Sequence, residues 1–291
     1  MSTINVNNVV PQSTTTVNLN GIAVVSAANT IQLGDNINTV ASTDTVLVGK
    51  SAGNSLIAPS SNNTFVGFRA GIACTSTGAN TLIGKSAGEA LTTGPSNTFI
   101  GSNAAINATT AIGNIAIGES AGSGLTTGVN NVFIGNSIAT TPNITGFGNI
   151  VIGSGGGINP SAANATWEIT LGGPLTSALR CAQTTITSIS DARDKKDVVE
   201  LSAGLDFINT LKPVEFTWND RDENGKRDIK DFGFIAQDLK KSQEDAGLAD
   251  VLKLVYEANP EKLEASYGKI LPILVKAVQE LSAKVTQLEN N

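Results

Sequence analysis

Two hydrophobic patterns divide this chain. Between residues 46 and 153 a short apolar run ending in glycine keeps returning: NTFVG from Asn63, NTLIG from Asn80, NTFIG from Asn97, NIAIG from Asn114 and NVFIG from Asn131. The closing glycines Gly67, Gly84, Gly101, Gly118 and Gly135 lie 17 residues apart, and VLVG ending at Gly49 and IVIG ending at Gly153 extend the series at a spacing of 18. Each unit offers a β-rich run, a glycine and a turn of small residues such as KSAG or ESAG. A unit this short cannot bury its apolar side alone, so the copies are expected to stack as coils of a β-solenoid or β-roll. Seven coils at the usual strand spacing give about 30–35 Å of rod. Phe65, Leu82, Phe99, Ala116 and Phe133 share one register; Val66, Ile83, Ile100, Ile117 and Ile134 share the next. Adjacent strand residues point to opposite sides. One side is expected to fill the coil and the other to meet partner chains.

Residues 1–45 are polar and Asn/Thr-rich, with short β-like runs such as Ile22–Val25, and are expected to be an N-terminal attachment segment. Residues 154–189 begin with SGGG and carry β-like patches at Trp167–Leu171 and Thr184–Ile189, which reads as a β neck.

At Ser190 the pattern changes. Ala203–Leu211 has helical spacing that Pro213 ends. Val214–Trp218 and Phe232–Ala236 read as strands around a polar loop, with helical pattern from Gln237 and a further helix at Lys262–Lys269. From Tyr267 a heptad emerges in Leu271, Leu274, Val278, Leu281, Val285 and Leu288. It predicts a coiled-coil stripe shared between chains, with a single amphipathic helix packed on its own domain as the other reading. The fold class expected is a mostly β rod, 46–153, then the neck and a smaller α+β domain, 190–291, that ends in a coiled-coil helix.

Charge sharpens this border. From Ser190 to the end there are 15 Lys+Arg and 20 Asp+Glu; residues 1–189 hold only the other 4 and 5. The long stretch is too poor in Lys and Arg to neutralise phosphates, so nucleic-acid binding is not expected. No apolar run approaches the ~20 residues that span a bilayer, and the Met1 end lacks a basic region followed by an apolar run, so neither membrane insertion nor a secretory signal is expected. The chain has no histidine, which excludes Ser-His-Asp and Cys-His catalysis and His-ligated metals. Cys74 and Cys181 have no metal or redox spacing, and no cofactor is expected.

Three places remain where chemistry is conceivable. The rod and neck carry the carboxylates Glu89, Glu119 and Glu168, and a glycosidase needs two facing each other across the bond; Glu89 and Glu119 stand at different positions in the repeat and read as solvent-exposed turn residues. In DRDENGKRDIKD the oxygens of Asp220, Asp222, Asn224, Asp228 and Asp231, with Gly225 at place six, match an EF-hand calcium loop. Arg227 at place eight and Asp231 in place of Glu do not fit, and Asn224-Gly225 is equally a hairpin turn. Finally SDARDKKDV sets the hydroxyl of Ser190 five residues before the amine of Lys195. The same residues also read as a helix start, with Ser190 or Asp191 as N-cap.

SDARDKKDV, GLDFINTLKPVEFTW, DFGFIAQDL and YGKILPILVKAVQELSAKVTQLE, in this order, resemble the peptidase S74 family, the C-terminal intramolecular chaperone of phage tail spikes and fibres. The repeats resemble those of phage tail fibres and of trimeric autotransporter adhesin heads. The resemblance implies a homotrimer, located in the virion tail and assembled in the host cytoplasm. It implies a serine endopeptidase acting once on itself, with Ser190 and Lys195 as the dyad and the cut between Ile189 and Ser190. Asp194 departs from the family pattern, where an apolar residue is expected. Val and Leu alternating along the heptad seam favour a dimer by rule, against the trimer implied. The dyad needs a neutral amine, and an ordinary Lys is mostly protonated at pH 7. Arg193 and Lys196 would favour the neutral form; Asp191, Asp194 and Asp197 would oppose it. The implied partners are other tail or baseplate proteins and a host-surface glycan or protein. A capsule polysaccharide-degrading tail spike is the alternative; a secreted adhesin would need a signal peptide and a membrane barrel.

Overall fold

The computed structural model describes residues 44–57, 60–155, 158–173, 176, 178–180, 187–219 and 228–290, with the backbone alone of three strands before them. The chain forms two compact units, one up to residue 176 and one from 177 onward.

The first unit is a solenoid built on a single sheet of eleven short strands in sequence order. Strands β1 (Val17–Leu19), β2 (Ile22–Val25) and β3 (Thr30–Leu33) pair antiparallel. From β3 onward every pairing is parallel: β4 (Val46–Val48), β5 (Thr64–Val66), β6 (Thr81–Ile83), β7 (Thr98–Ile100), β8 (Ile115–Ile117), β9 (Val132–Ile134), β10 (Ile150–Ile152) and β11 (Ile169–Leu171). The rest of the expected attachment segment lies outside the described residues. Trp167–Leu171, expected in the neck, supplies the last rung of the rod, while residues 187–189 form no strand.

The middle residue of each strand points inward. Phe65, Leu82, Phe99, Phe133 and Val151 are fully buried, in one core with Ala70, Ala87, Leu91, Leu125 and Ile144. Ala116 lies between Phe99 and Phe133 in register, so a small residue is flanked by two large ones. The glycines that end β4 to β9 have φ between +120° and +142°, and a Cβ at Gly118 would lie 2.2 Å from the carbonyl oxygen of Gly135. Only glycine fits this column. Cys74 faces the core, and burial pushes its thiol up to about 12.

One residue before each of β5 to β10 stands an asparagine, and Asn63, Asn80, Asn97, Asn114, Asn131 and Asn149 form a ladder, all fully buried. Each Oδ1 accepts the backbone N–H of the next rung, from Asn80 (3.1 Å) to Asn149 (3.0 Å). Each Nδ2 also donates to the neighbouring coil, as Asn114 does to the carbonyl of Gly128 at 2.8 Å. Glu168 ends the ladder by donating its N–H to Asn149 Oδ1.

The second unit has its own core of Ala203, Phe207, Leu239, Leu252, Leu254, Ile270 and Ile273. It holds α1 (Leu205–Ile208), the antiparallel hairpin β12 (Pro213–Thr217) and β13 (Lys230–Phe234), α2 (Ala236–Asp245), α3 (Ala249–Leu252), a short pair β14 (Val255–Tyr256) and β15 (Glu264–Ala265), and α4 (Ile270–Glu289). The helix expected at Lys262–Lys269 is corrected. Ala265 pairs with Val255, Ser266 N–H donates to Leu254 at 2.8 Å, and only a single 3₁₀ turn, Tyr267–Lys269, precedes α4.

Candidate functional site

Residues 187–200 are all exposed, and the chain makes one tight reversal there. Asp191 has extended backbone and caps a one-turn 3₁₀ helix, Ala192–Asp194. Its carboxylate accepts from the Arg193 N–H at 2.8 Å, from Nε at 3.0 Å and from Nη2 at 2.7 Å. These bonds hold the Asp191 carboxyl below the usual carboxylate range and raise the Arg193 guanidinium. The turn closes with the N–H of Lys195 donating to the carbonyl of Ala192 at 3.2 Å. The reversal folds Lys195 back, so that its Nζ donates to Ser190 Oγ at 2.5 Å and to the Ser190 carbonyl at 3.3 Å. The structure therefore brings the two residues of the expected dyad together, and the N-cap reading holds beside it, because Asp191 caps the turn that makes the pairing.

The chemistry available follows from that contact. While the amine carries its full complement of protons it donates to Oγ; with one fewer, the same contact lets the hydroxyl donate to nitrogen, which is the arrangement of a general base beside a nucleophile. Arg193, expected to act on the amine electrostatically, has its charge directed onto Asp191 instead. Asp194 is exposed on the outside of the turn. Ile189, on the other side of the expected scissile bond, is 92% exposed.

At the other end of this unit α4 has two apolar faces. Ile270, Ile273 and Ala277 are buried in the unit's core. The heptad residues Leu271, Leu274, Val278, Leu281, Val285 and Leu288 form an exposed stripe, with Val278 at 64% and Leu288 at 76%. The reading of a helix packed on its own domain holds for the buried face, and the heptad stripe faces solvent. A further residue, not legible from spacing, ties α4 down: Glu280 accepts the N–H of Leu205 at 2.7 Å, which caps α1. Gly204 makes room for it, since a Cβ there would lie 2.3 Å from that carboxylate.

The other candidates fall as follows. Asp220, Asp222 and Asn224 lie outside the described residues, as does Cys181. The loop they belong to joins β12 to β13, and Asp231, in β13, accepts from Trp218 Nε1 at 3.1 Å. Among the described residues no group of three or more metal-ligating side chains gathers. The rod carboxylates each have a different partner: Glu89 pairs with Arg69 at 2.7 Å, Glu119 accepts from Asn136, and Glu168 accepts from Ser161. Among the described residues no helix is long and apolar enough to cross a membrane.

Residues 190–248 match the family model of the peptidase S74 domain, the chaperone of endosialidase. Over these residues the chain is similar to that family. The match opens on Ser190 itself and runs through α1, the β12–β13 hairpin and α2, so the heptad helix lies beyond it. A β-solenoid followed by an S74 chaperone fits a tail fibre with a C-terminal chaperone domain, and supports a role in tail-fibre or tail-spike trimer assembly. Comparison with curated proteins and with solved structures gives no match.

Proposed function

We propose that this chain is a homotrimeric phage tail-fibre or tail-spike-like protein. The rod is its structural or host-adhesive part, and residues 190–291 bring three copies together and then cut themselves free between Ile189 and Ser190. The observation that carries the reading is the Lys195 amine at 2.5 Å from the Ser190 hydroxyl, on the residue where the chaperone match begins. Register supplies the need for such a chaperone. Three identical chains of short repeats can pair out of step by a whole coil, and parallel β pairing forms slowly. Joining the three ends first removes that choice.

In the proposed step Lys195 takes the Ser190 hydroxyl proton, and Oγ bonds to the carbonyl carbon of Ile189. The bond from that carbon to the Ser190 nitrogen breaks, and the nitrogen takes up the proton. Water then hydrolyses the ester, leaving a carboxylate on Ile189 and a free amine on Ser190. In one chain the pair is open to solvent. Contact with neighbouring chains would exclude that water, so cutting reports assembly. Mounted on the virion tail after assembly in the host cytoplasm, the rod would contact other tail or baseplate proteins and a host-surface glycan or protein.

The test compares wild type with Ser190→Ala by denaturing gel and intact mass. Wild type is expected to split into two fragments, and the variant to stay at 29.8 kDa. If both remain whole, self-cleavage fails. A single-chain mass by sedimentation would sink the assembly role.

A further inference from the structure

Two outer rows of the rod change character at the same coil. The residue that opens each strand is Val46 in β4, Thr64, Thr81 and Thr98 in β5–β7, then Ile115, Val132, Ile150 and Ile169 in β8–β11. Three residues before β5–β10 stand Ser61, Gly78 and Pro95, then Ile112, Val129 and Phe147, with Thr166 before β11. The interior does not change with them, because the same inward register stays buried from Leu47 to Val151. Core packing therefore gives no reason for the switch. Ile112, Ile115, Phe147 and Ile169 are exposed and Val129, Val132 and Ile150 half-buried, and apolar surface turned to water costs free energy unless something covers it.

Trp167 caps this face. It is 74% exposed and has φ +59°, at the place where earlier coils put small residues such as Asn130 and Gly148. The left-handed region is unusual for a bulky side chain. Its ring stacks edge-on against Phe147, with centroids 5.5 Å apart, above the bare Cα of Gly148. Strain that holds an aromatic outward suits the anchor of an interface, where Trp is enriched.

We infer that the coils from Ile112 to Leu171, centred on Trp167 and Phe147, form the contact face between copies of this chain, and that the Thr-bearing coils before them stand outside it. The inference rests on the trimeric reading above. That reading supplies the occupant: three copies joined from residue 190 bring identical faces together at high effective concentration, since β11 ends only about 20 residues earlier. Charge excludes most other partners. Residues 112–171 contain no Lys or Arg, and their two carboxylates, Glu119 and Glu168, accept from Asn136 and Ser161. A glycan site needs polar groups beside its aromatic to fix orientation, whereas the ring here borders Phe147 and Gly148.

The experiment uses the full chain with Trp218→Phe, so that Trp167 is the only indole, and combines sedimentation with acrylamide quenching. The expected result is a three-chain particle, whole or cut at Ile189, in which Trp167 is quenched several-fold less than free tryptophan. Adding Ile150→Asp restores quenching; adding Thr81→Asp does not. A three-chain particle with freely quenched Trp167 overturns this inference and leaves the assembly role standing. Shielding that appears only when a polysaccharide is added overturns it too, in favour of a glycan. A single-chain particle overturns both readings.

Discussion

The backbone N–H of Asn131 donates to Oδ1 of Asn114 at 2.9 Å, with both residues fully buried one coil apart. Asn114 also donates its Nδ2 to the carbonyl of Gly128. Asn114→Leu therefore strands a buried donor on one side and a buried acceptor on the other. The expected loss is about 2–4 kcal/mol, from two unsatisfied groups at roughly 1–3 kcal/mol each with partial relaxation. Urea unfolding of the rod should show it. An unchanged midpoint would mean the ladder contributes nothing.

Gly118→Ala tests the glycine column. The added Cβ would sit 2.2 Å from the oxygen of Gly135, on backbone with φ +127°. Neither the clash nor the dihedral can relax without parting the coils, so a loss of at least about 2 kcal/mol is expected. The neighbouring Ala121→Gly change, in the same coil, should cost no more than about 1–2 kcal/mol through lost burial and added chain freedom. Thermal melting of the two variants side by side separates the cases.

The Asp191 cap makes a pH prediction. Its folded carboxyl lies below the ordinary carboxylate value because Arg193 donates to it. A depressed folded value means the cap is present above the ordinary carboxylate pKa and is lost as pH falls through the lower one. The Asp191 side-chain carbon signal in an NMR titration should have its midpoint below those of the other carboxylates. Arg193→Ala should move it up toward them and slow cutting several-fold by loosening the Ser190–Lys195 contact. A midpoint that Arg193→Ala leaves in place would show that the guanidinium does not hold the Asp191 carboxylate.

On α4 the two faces should respond differently. Ile273→Ala removes a buried side chain from the unit's core and should cost about 2–5 kcal/mol in stability. Val278→Asp changes an exposed stripe residue and should leave the melting of an isolated chain within about 0.5 kcal/mol, while lowering the assembled fraction in sedimentation. Equal effects of the two on both measurements would show that the stripe is not a contact between chains.

The regular part of the rod was legible because its chemistry is local: each coil repeats a β run, a glycine that only glycine can replace, and an asparagine. The last rung departs from that pattern, since Glu168 stands in the ladder's place and Trp167 where the two coils before it have Asn130 and Gly148. The Ser190–Lys195 spacing is legible in the sequence, but the turn that closes their contact is not. Asp191 and Arg193 were weighed as charges around an amine, and their hydrogen bonds to each other decide the turn. The segment Lys262–Lys269 carried helical spacing and lost to the pairing of Ala265 with Val255, a contact between residues ten apart that local pattern does not record. Glu280 capping Leu205 spans 75 positions and left no signal at all.

The glycine column has one more consequence. From β5 to β9 each coil's strand pairs with the coils above and below it, through contacts that repeat every 17 residues. A complete unit can therefore be added or removed in the middle while the two new neighbours meet as the old ones did. Reach becomes a stepwise quantity, adjustable by about 4.8 Å at a time, and neither extremity has to be redesigned when it changes.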